Sequence, residues 1–235
     1  MKNFIENRTL FLSTLLLILI GFGSAFLISR TPIETQSSIN KIPAKKSEVI
    51  KEETLAEVTI WMMNTPKCSG SKSNGLSEVK KTMLARQIDR ILTSIGGDKR
   101  TQEAFIFLMC QESQYRSGLT SPAGAKGVSQ LMPATAQAEA DELNMGKLTS
   151  DDLMDNEINI LIGYTHFKKL AASYNGNLAK ASAAYNGGPA GSTIKAMKSG
   201  GLGAQETDAY VRSMFDMQEE RRIAKLEKQK IDILK

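Results

Sequence analysis

The hydrophobic pattern divides the chain into an apolar head, a polar stretch and a series of helical periods. From Thr9 to Ser29 the sequence TLFLSTLLLILIGFGSAFLIS carries no charge and is flanked by Arg8 and Arg30. About twenty such residues are enough to cross a bilayer as a helix. Residues 31–55 are polar, with Pro32 and Pro43 among Lys, Glu, Ser and Thr, the composition of a flexible tether that spans roughly 25 to 30 Å as a coil. Further on, Leu84, Ile88, Ile91, Leu92 and Ile95 keep a helical period that stops at Gly96-Gly97, where Asp98 is placed to cap the next helix. That helix contains Ala104 to Cys110, AFIFLMC, apolar without interruption, so it belongs in the middle of a core. Pro133 to Leu143, Asp155 to Tyr174 and Leu178 to Tyr185 read as three more helices, and another begins at Glu206. Only EVTIWMM around Trp61 reads as a candidate short strand. The tail from Met214 to Lys235 sets Ile223, Leu226, Ile231 and Leu234 among dense charges, as in a solvated helix extension or a contact for another protein.

The pattern predicts a mainly α protein. At 235 residues and 41% hydrophobic content, there is enough apolar matter for one core of ordinary size plus extensions. The head also fits a signal peptide: Lys2 and Arg8 are basic, Leu10 to Ile20 are apolar, and Gly23-Ser24-Ala25 is a small-x-small cleavage site. Apolar residues continue past Ala25 through Ile28, which favours a retained anchor. Either reading exports the rest of the chain. The net charge of +5 suits a partner bearing negative charge. Lys and Arg are scattered among Asp and Glu with no nucleic-acid motif, which argues against a nucleic-acid partner.

Candidate chemistry starts at Glu112, which follows the apolar run almost directly. A carboxyl partly removed from water has its charged form disfavoured, so its pKa rises and it keeps a proton near neutral pH, as a general acid must. The small-residue loop SPAGAKG follows, and without further context it reads as a Pro/Gly turn. Cys68 and Cys110 are the only cysteines; in an oxidising compartment they either pair or leave Cys110 as a buried thiol. Their spacing suggests no metal site, and no cofactor is expected. His166, the single histidine, lies on a predicted helix and reads as packing or surface.

Glu112-Ser113, Gly127-Val128-Ser129-Gln130, Ala184-Tyr185-Asn186 and Glu206-Thr207 with Tyr210-Val211 stand in the order of four motifs. Together they resemble the soluble-type (family 1) lytic transglycosylase domain, related to goose-type lysozyme. The resemblance runs from about Arg100 to Phe215. It implies a lysozyme-like helical domain that cleaves the β-1,4 bond between N-acetylmuramic acid and N-acetylglucosamine without water, leaving a 1,6-anhydro end. By the same resemblance Glu112 is the acid and then the base. Ser113, Gly127, Ser129, Gln130, Tyr185, Asn186, Glu206 and Tyr210 line the glycan site, with Tyr185 hydrogen-bonding near Glu112 and Asn186 holding the sugar. Gln130 offers an amide to sugar groups, and Gly124 and Gly127 let the backbone approach the strand. The chain departs from the family at Ser129, where methionine is usual.

The organisation expected is then a signal anchor or signal peptide at 1–30, a linker at 31–55, a helical extension at 56–99, the catalytic domain at 100–215 and a charged helix at 216–235. The catalytic domain is expected in the periplasm, anchored to the inner membrane or released after cleavage near Ala25. Most glycosidases need two carboxylates about 5 to 10 Å apart. After Glu112 the next acidic residue is Glu139, beyond the loop, which suits a one-carboxylate lyase. A goose-type-lysozyme-like hydrolase and a wall-binding module without turnover remain as alternatives.

Overall fold

The computed structural model describes residues 52–69, 76–188, 196–197, 199–200 and 205–234, with the backbone alone at 205, 206, 233 and 234. The expected anchor and nearly all of the tether lie outside the described residues. Among the described residues no helix is long and apolar enough to cross a membrane.

The described part is built of helices: α1 (Leu55–Met63), α2 (Pro66–Ser69), α3 (Glu78–Ile95), α4 (Lys99–Ser113), α5 (Pro133–Glu142), α6 (Asn156–Ser173), α7 (Leu178–Gly187) and α8 (Gln205–Leu234). A 3-10 turn at Asp152–Met154 leads into α6. Where the sequence suggested a strand around Trp61, the chain is helical. Thr54 and Glu57 close a reciprocal capping box that starts α1, and Leu55, Val58, Thr59 and Met62 fall on its buried face. β-branched composition yields here to the cap and to burial at helical spacing.

Other helix limits follow the sequence closely. Ser77 caps α3, Asp98 caps α4 and Asp155 caps α6 by accepting from their first-turn amides. Helix α4 packs against α1, α2, α6, α7 and α8, and its residues from Ala104 to Cys110 are all buried. Central position and all-round apolarity are two sides of one fact: no face of this helix has to meet water. The Cys68–Cys110 disulfide ties α2 to α4, so the pairing left open by sequence is made. Helix α8 runs without a break across residues 215 and 216. Its first half buries Tyr210, Val211, Met214 and Met217, whereas Ile223, Leu226 and Ile231 farther along are exposed.

Candidate functional site

Glu112 sits in the last turn of α4, half-buried. Burial pushes its carboxyl up to about 7 from an ordinary 4.5, and a hydrogen bond from Tyr210 pulls the other way. That bond is 2.8 Å long, from the Tyr210 hydroxyl to Glu112 Oε1. Tyr210 is itself buried on α8, and its phenol is pushed well above its usual range by burial and then by the neighbouring carboxylate. Among the described residues no cation contributes to the Glu112 shift. A carboxyl in this setting is part-protonated near pH 7.

The helix ends abruptly after this residue. Gln114 and Tyr115 both take left-handed backbone angles, φ 54° and 61°, and the Gln114 amide donates to the Cys110 carbonyl at 2.8 Å. Such a conformation costs a bulky residue about 1 to 3 kcal/mol. It is held by complete burial of the Tyr115 ring, whose hydroxyl donates to the Ile106 carbonyl at 2.8 Å. The chain therefore turns away at once and leaves Glu112 at a helix end.

Beyond it, residues 120–131 fold into a tight loop. Lys126 and Leu131 exchange backbone hydrogen bonds of 2.9 and 3.0 Å, and the Gly127 amide donates to the Leu119 carbonyl at 2.9 Å. The hub is Asn159 on α6, fully buried. Its Nδ2 donates to the carbonyls of Lys126 and Leu153, and its Oδ1 accepts from the Ser129 amide at 2.8 Å and the Ser129 hydroxyl at 2.6 Å. Gly127 has φ +77°, and a Cβ there would meet the Asn159 amide at 2.3 Å. This glycine thus serves the approach of Asn159.

The expected glycan-site residues fall into two groups. Tyr210 and Tyr185 lie near Glu112, whose charge helps push the Tyr185 phenol up. The Tyr185 hydroxyl, expected near Glu112, donates instead to the Ser129 carbonyl at 2.9 Å; the partner of the acid is Tyr210. Asn186 is exposed and accepts from the Thr207 hydroxyl at 3.1 Å. The second group turns inward. The Ser113 hydroxyl is buried and donates to the Val128 carbonyl at 2.6 Å, clamping α4 to the loop. The Ser129 hydroxyl is held by Asn159, and a Cβ on Gly163 of α6 would meet it at 2.5 Å. Gln130, with φ 50°, donates its side-chain amide to the Gly127 and Leu119 carbonyls. The side chain of Glu206 lies outside the described residues.

Residues 96–206 match the transglycosylase SLT domain family. That segment is a little under half of the chain. It is similar to the soluble lytic murein transglycosylases of Escherichia coli K12, at 33% identity over 95 residues, and of Salmonella typhimurium, at 35% over 80 residues. These stretches cover 40% and 34% of this chain but only 15% and 12% of those proteins. Among solved structures, the lytic transglycosylase Slt of Pseudomonas aeruginosa aligns with 55% of this chain and 22% of its own, at 26% identity and a TM-score of 0.49.

Glu112, the loop 127–130 and Tyr185-Asn186 lie inside the matched SLT segment, while Tyr210 lies just beyond it. Three residues of this site escaped the sequence reading: Asn159, Tyr115 and Gly163. Asn159 leaves a trace, since it is a lone amide in the apolar run INILIGY; a buried amide there has to be hydrogen-bonded. A separate cleft of about 570 Å³ opens toward the other end of α4, where Arg100, Glu103, Phe107, Phe215, Arg221 and Lys225 are among its lining. None of the motif residues lines it.

Proposed function

We propose that this chain is a peptidoglycan lytic transglycosylase in which Glu112 acts first as acid and then as base. The observation that carries the reading is a half-buried carboxyl with a pKa near 7, held by a neutral phenol within an SLT domain. In the first step the Glu112 hydroxyl donates its proton to the glycosidic oxygen. The bond from that oxygen to the muramoyl C1 breaks, and the departing N-acetylglucosamine keeps the bonding pair. The muramoyl acetamido oxygen shields the cation left at C1. In the second step the Glu112 carboxylate takes the proton from the C6 hydroxyl, and O6 bonds to C1 to close the 1,6-anhydro ring. Atoms balance without water, and one carboxyl serves both steps because each leaves it ready for the next. Glycosidases built on two carboxylates need the second as nucleophile or water-activating base; the substrate's own groups replace it here.

Tyr210 tunes the acid. Tyr185 and Asn186, with the loop at 127–130, flank the glycan. Ser113 and Ser129 act on the shape of the loop through their internal hydrogen bonds. The partner is a peptidoglycan strand, with its peptide carboxylates meeting a chain of net charge +5. The apolar segment Thr9–Ser29 supports an inner-membrane anchor with the domain in the periplasm, and the lysozyme-like domain spans about 100–215 after the tether and the 56–99 extension. The exposed Ile223, Leu226 and Ile231 of α8 support a further protein contact.

The test is mass spectrometry of muropeptides released from purified sacculi. The wild-type chain yields 1,6-anhydro ends, and Glu112→Gln yields no detectable product while still sedimenting with sacculi. Reducing ends from the wild type would instead mean hydrolysis.

A further inference from the structure

His166 is absorbed by none of this. It stands on α6 with Nδ1 2.9 Å from Glu139 Oε1 on α5, and its ring lies 5.5 Å from that of Tyr185 on α7. Glu139 is only 6% exposed. A carboxylate so placed is costly unless its oxygens are satisfied. Here Oε1 meets His166, and Oε2 accepts from Lys169 Nζ at 2.6 Å. Lys169 in turn reaches Glu142 at 2.6 Å. The charged and titratable groups around the imidazole are thus Glu139 and Glu142 from α5, Lys169 from its own helix and the Tyr185 phenol from α7. Beside this row the neighbours are apolar: Leu131, Ala136, Ala140 and Ile162. An apolar residue at either position would fill such a place without any need for partners, so the pair is there to fix an orientation rather than to fill space.

What the imidazole can orient is Tyr185. The other walls of that ring are Phe105 and Phe167, with centroids at 6.5 and 6.2 Å. Both meet it nearly edge-on, whereas the imidazole is tilted at 53° to it and, of these three rings, is the one fixed by a hydrogen bond to a buried carboxylate. The Tyr185 hydroxyl holds the Ser129 carbonyl, while Asn159 holds the Ser129 amide and hydroxyl. Ser129 is therefore gripped from α7 on one side and α6 on the other. The next residue, Gln130, is in a left-handed conformation that persists only where its surroundings enforce it. A row of contacts runs from Lys169 through Glu139, His166 and Tyr185 to the loop 127–130.

We infer that His166 is a positioning residue for glycan binding: oriented by Glu139, it holds Tyr185 and through it the Ser129–Gln130 segment. This rests on the proposed reading of the loop as a wall of the glycan site. The row ends at the loop and not at the acid, because the carboxyl of Glu112 is held by Tyr210. Loss of His166 therefore acts on binding and leaves proton transfer alone.

The experiment uses the full chain, with kcat and KM for release of anhydro-muropeptides and Kd for a purified GlcNAc–MurNAc oligosaccharide measured on the Glu112→Gln background. His166→Ala raises KM and Kd about tenfold, as expected for one lost orienting contact, with kcat within about twofold. Glu139→Gln keeps an acceptor for the Nδ1 hydrogen and retains a wild-type KM, whereas Glu139→Ala reproduces His166→Ala. The double variant His166→Ala/Glu139→Ala is no worse than either single one, since both break the same row. Circular dichroism establishes folding, and His166→Gln stands in if the alanine variant does not fold, with the same rise in KM. Unchanged KM and Kd in a folded His166 variant overturn the inference, as does a fall in kcat at constant KM. A wild-type chain that neither cleaves nor binds the oligosaccharide overturns the proposed function and this inference with it. Cleavage by the wild type with indifferent His166 variants overturns this inference alone.

Discussion

Helix α4 carries two half-buried glutamates, and they have been given opposite surroundings. Glu103, toward the start, has its carboxyl raised by burial, but Lys99, Arg221 and Lys225 draw it back down while Glu53 pushes it up. Arg221 itself pairs with Glu53 and lies 4.8 Å over the Trp61 ring. Glu112, at the end, meets burial and one phenol, and rises to about 7. Residue type and helix are shared, but Glu112 is the more deeply buried and the neighbours differ in charge. Beside Glu103 the cations oppose the rise that burial causes, without cancelling it. A carboxyl facing only a neutral donor keeps a proton to give.

The comparison breaks most decisively by exchanging the charge at each end. Glu112→Gln removes the only proposed acid and base, and cleavage falls by a factor of about 10⁴ or below detection, at the upper end of what general acid–base groups contribute. Glu103→Gln leaves turnover within about twofold, because surface-side ion networks away from the chemistry carry little of the barrier. Rates of anhydro-muropeptide release measure both. Equal losses at the two positions would mean that fold integrity and not proton transfer is being read.

A large effect on stability is expected at the Glu112 end alone. The Cys68–Cys110 bridge closes a separation of 42 residues and anchors α4 only two positions before Glu112. In the chain-entropy account a loop of this size stabilises by about 4 kcal/mol. Cys68→Ser/Cys110→Ser is expected to lower the urea midpoint accordingly, and activity in the surviving folded fraction falls as the last turn of α4 loosens. Unchanged unfolding with and without reductant would show that the helix end is held by Tyr115 and Ser113 without help from the bridge.

How much of this was readable beforehand differs between the two ends for the same physical reason. The dry position of Glu112 was visible in AFIFLMC, since an uninterrupted apolar run fixes burial from local sequence. The end of α3 was visible at Gly96-Gly97, the start of α4 in its cap Asp98, and α6 within a residue of Asp155 to Tyr174. The Tyr210–Glu112 bond was not, because its partners are 98 residues apart. The hub at Asn159 and the reversal at Gln114-Tyr115 were missed too: one depends on a loop folding against a different helix, the other on a φ that no pattern of polar and apolar positions encodes. Helix α1 was read as a possible strand since Val58, Thr59, Ile60 and Trp61 have strand-like composition, and only the capping box and burial decide it. Local pattern reported burial well and partnership poorly.

The same contrast has a consequence for stability against pH. A carboxyl whose folded-state pKa is raised from 4.5 to about 7 binds its proton more tightly in the native state. Its contribution is fully present below pH 4.5 and is lost as pH rises through 7, amounting to roughly 3 kcal/mol. Glu112→Gln escapes that loss. The variant is therefore expected to match the wild type at pH 4 and to exceed it by up to about 3 kcal/mol at pH 8 in urea unfolding. A proposed catalytic residue whose removal stabilises the fold at alkaline pH is the signature of a charge forced into a dry place. A stability difference that does not change with pH would place Glu112 in ordinary solvent.

The smallest expected effect concerns the phenol that separates the two carboxyls in character. The Tyr210 hydroxyl stabilises the ionised form of Glu112 and so opposes the upward push of burial. Tyr210→Phe removes that opposition, and the carboxyl rises further. The free-enzyme acid governs the alkaline limb of kcat/KM, so this limb is expected to move to higher pH. The rate on the plateau falls by roughly tenfold, because the carboxylate formed after the first proton transfer loses a hydrogen bond to a charged group, worth about 1.5 kcal/mol at the lower end of its range. Tyr185→Phe provides the control: its hydroxyl is on the Ser129 carbonyl, so the limb stays in place while KM rises. If the two variants shift the limb alike, both phenols share the acid, and the division between a tuning tyrosine and a loop-holding tyrosine disappears.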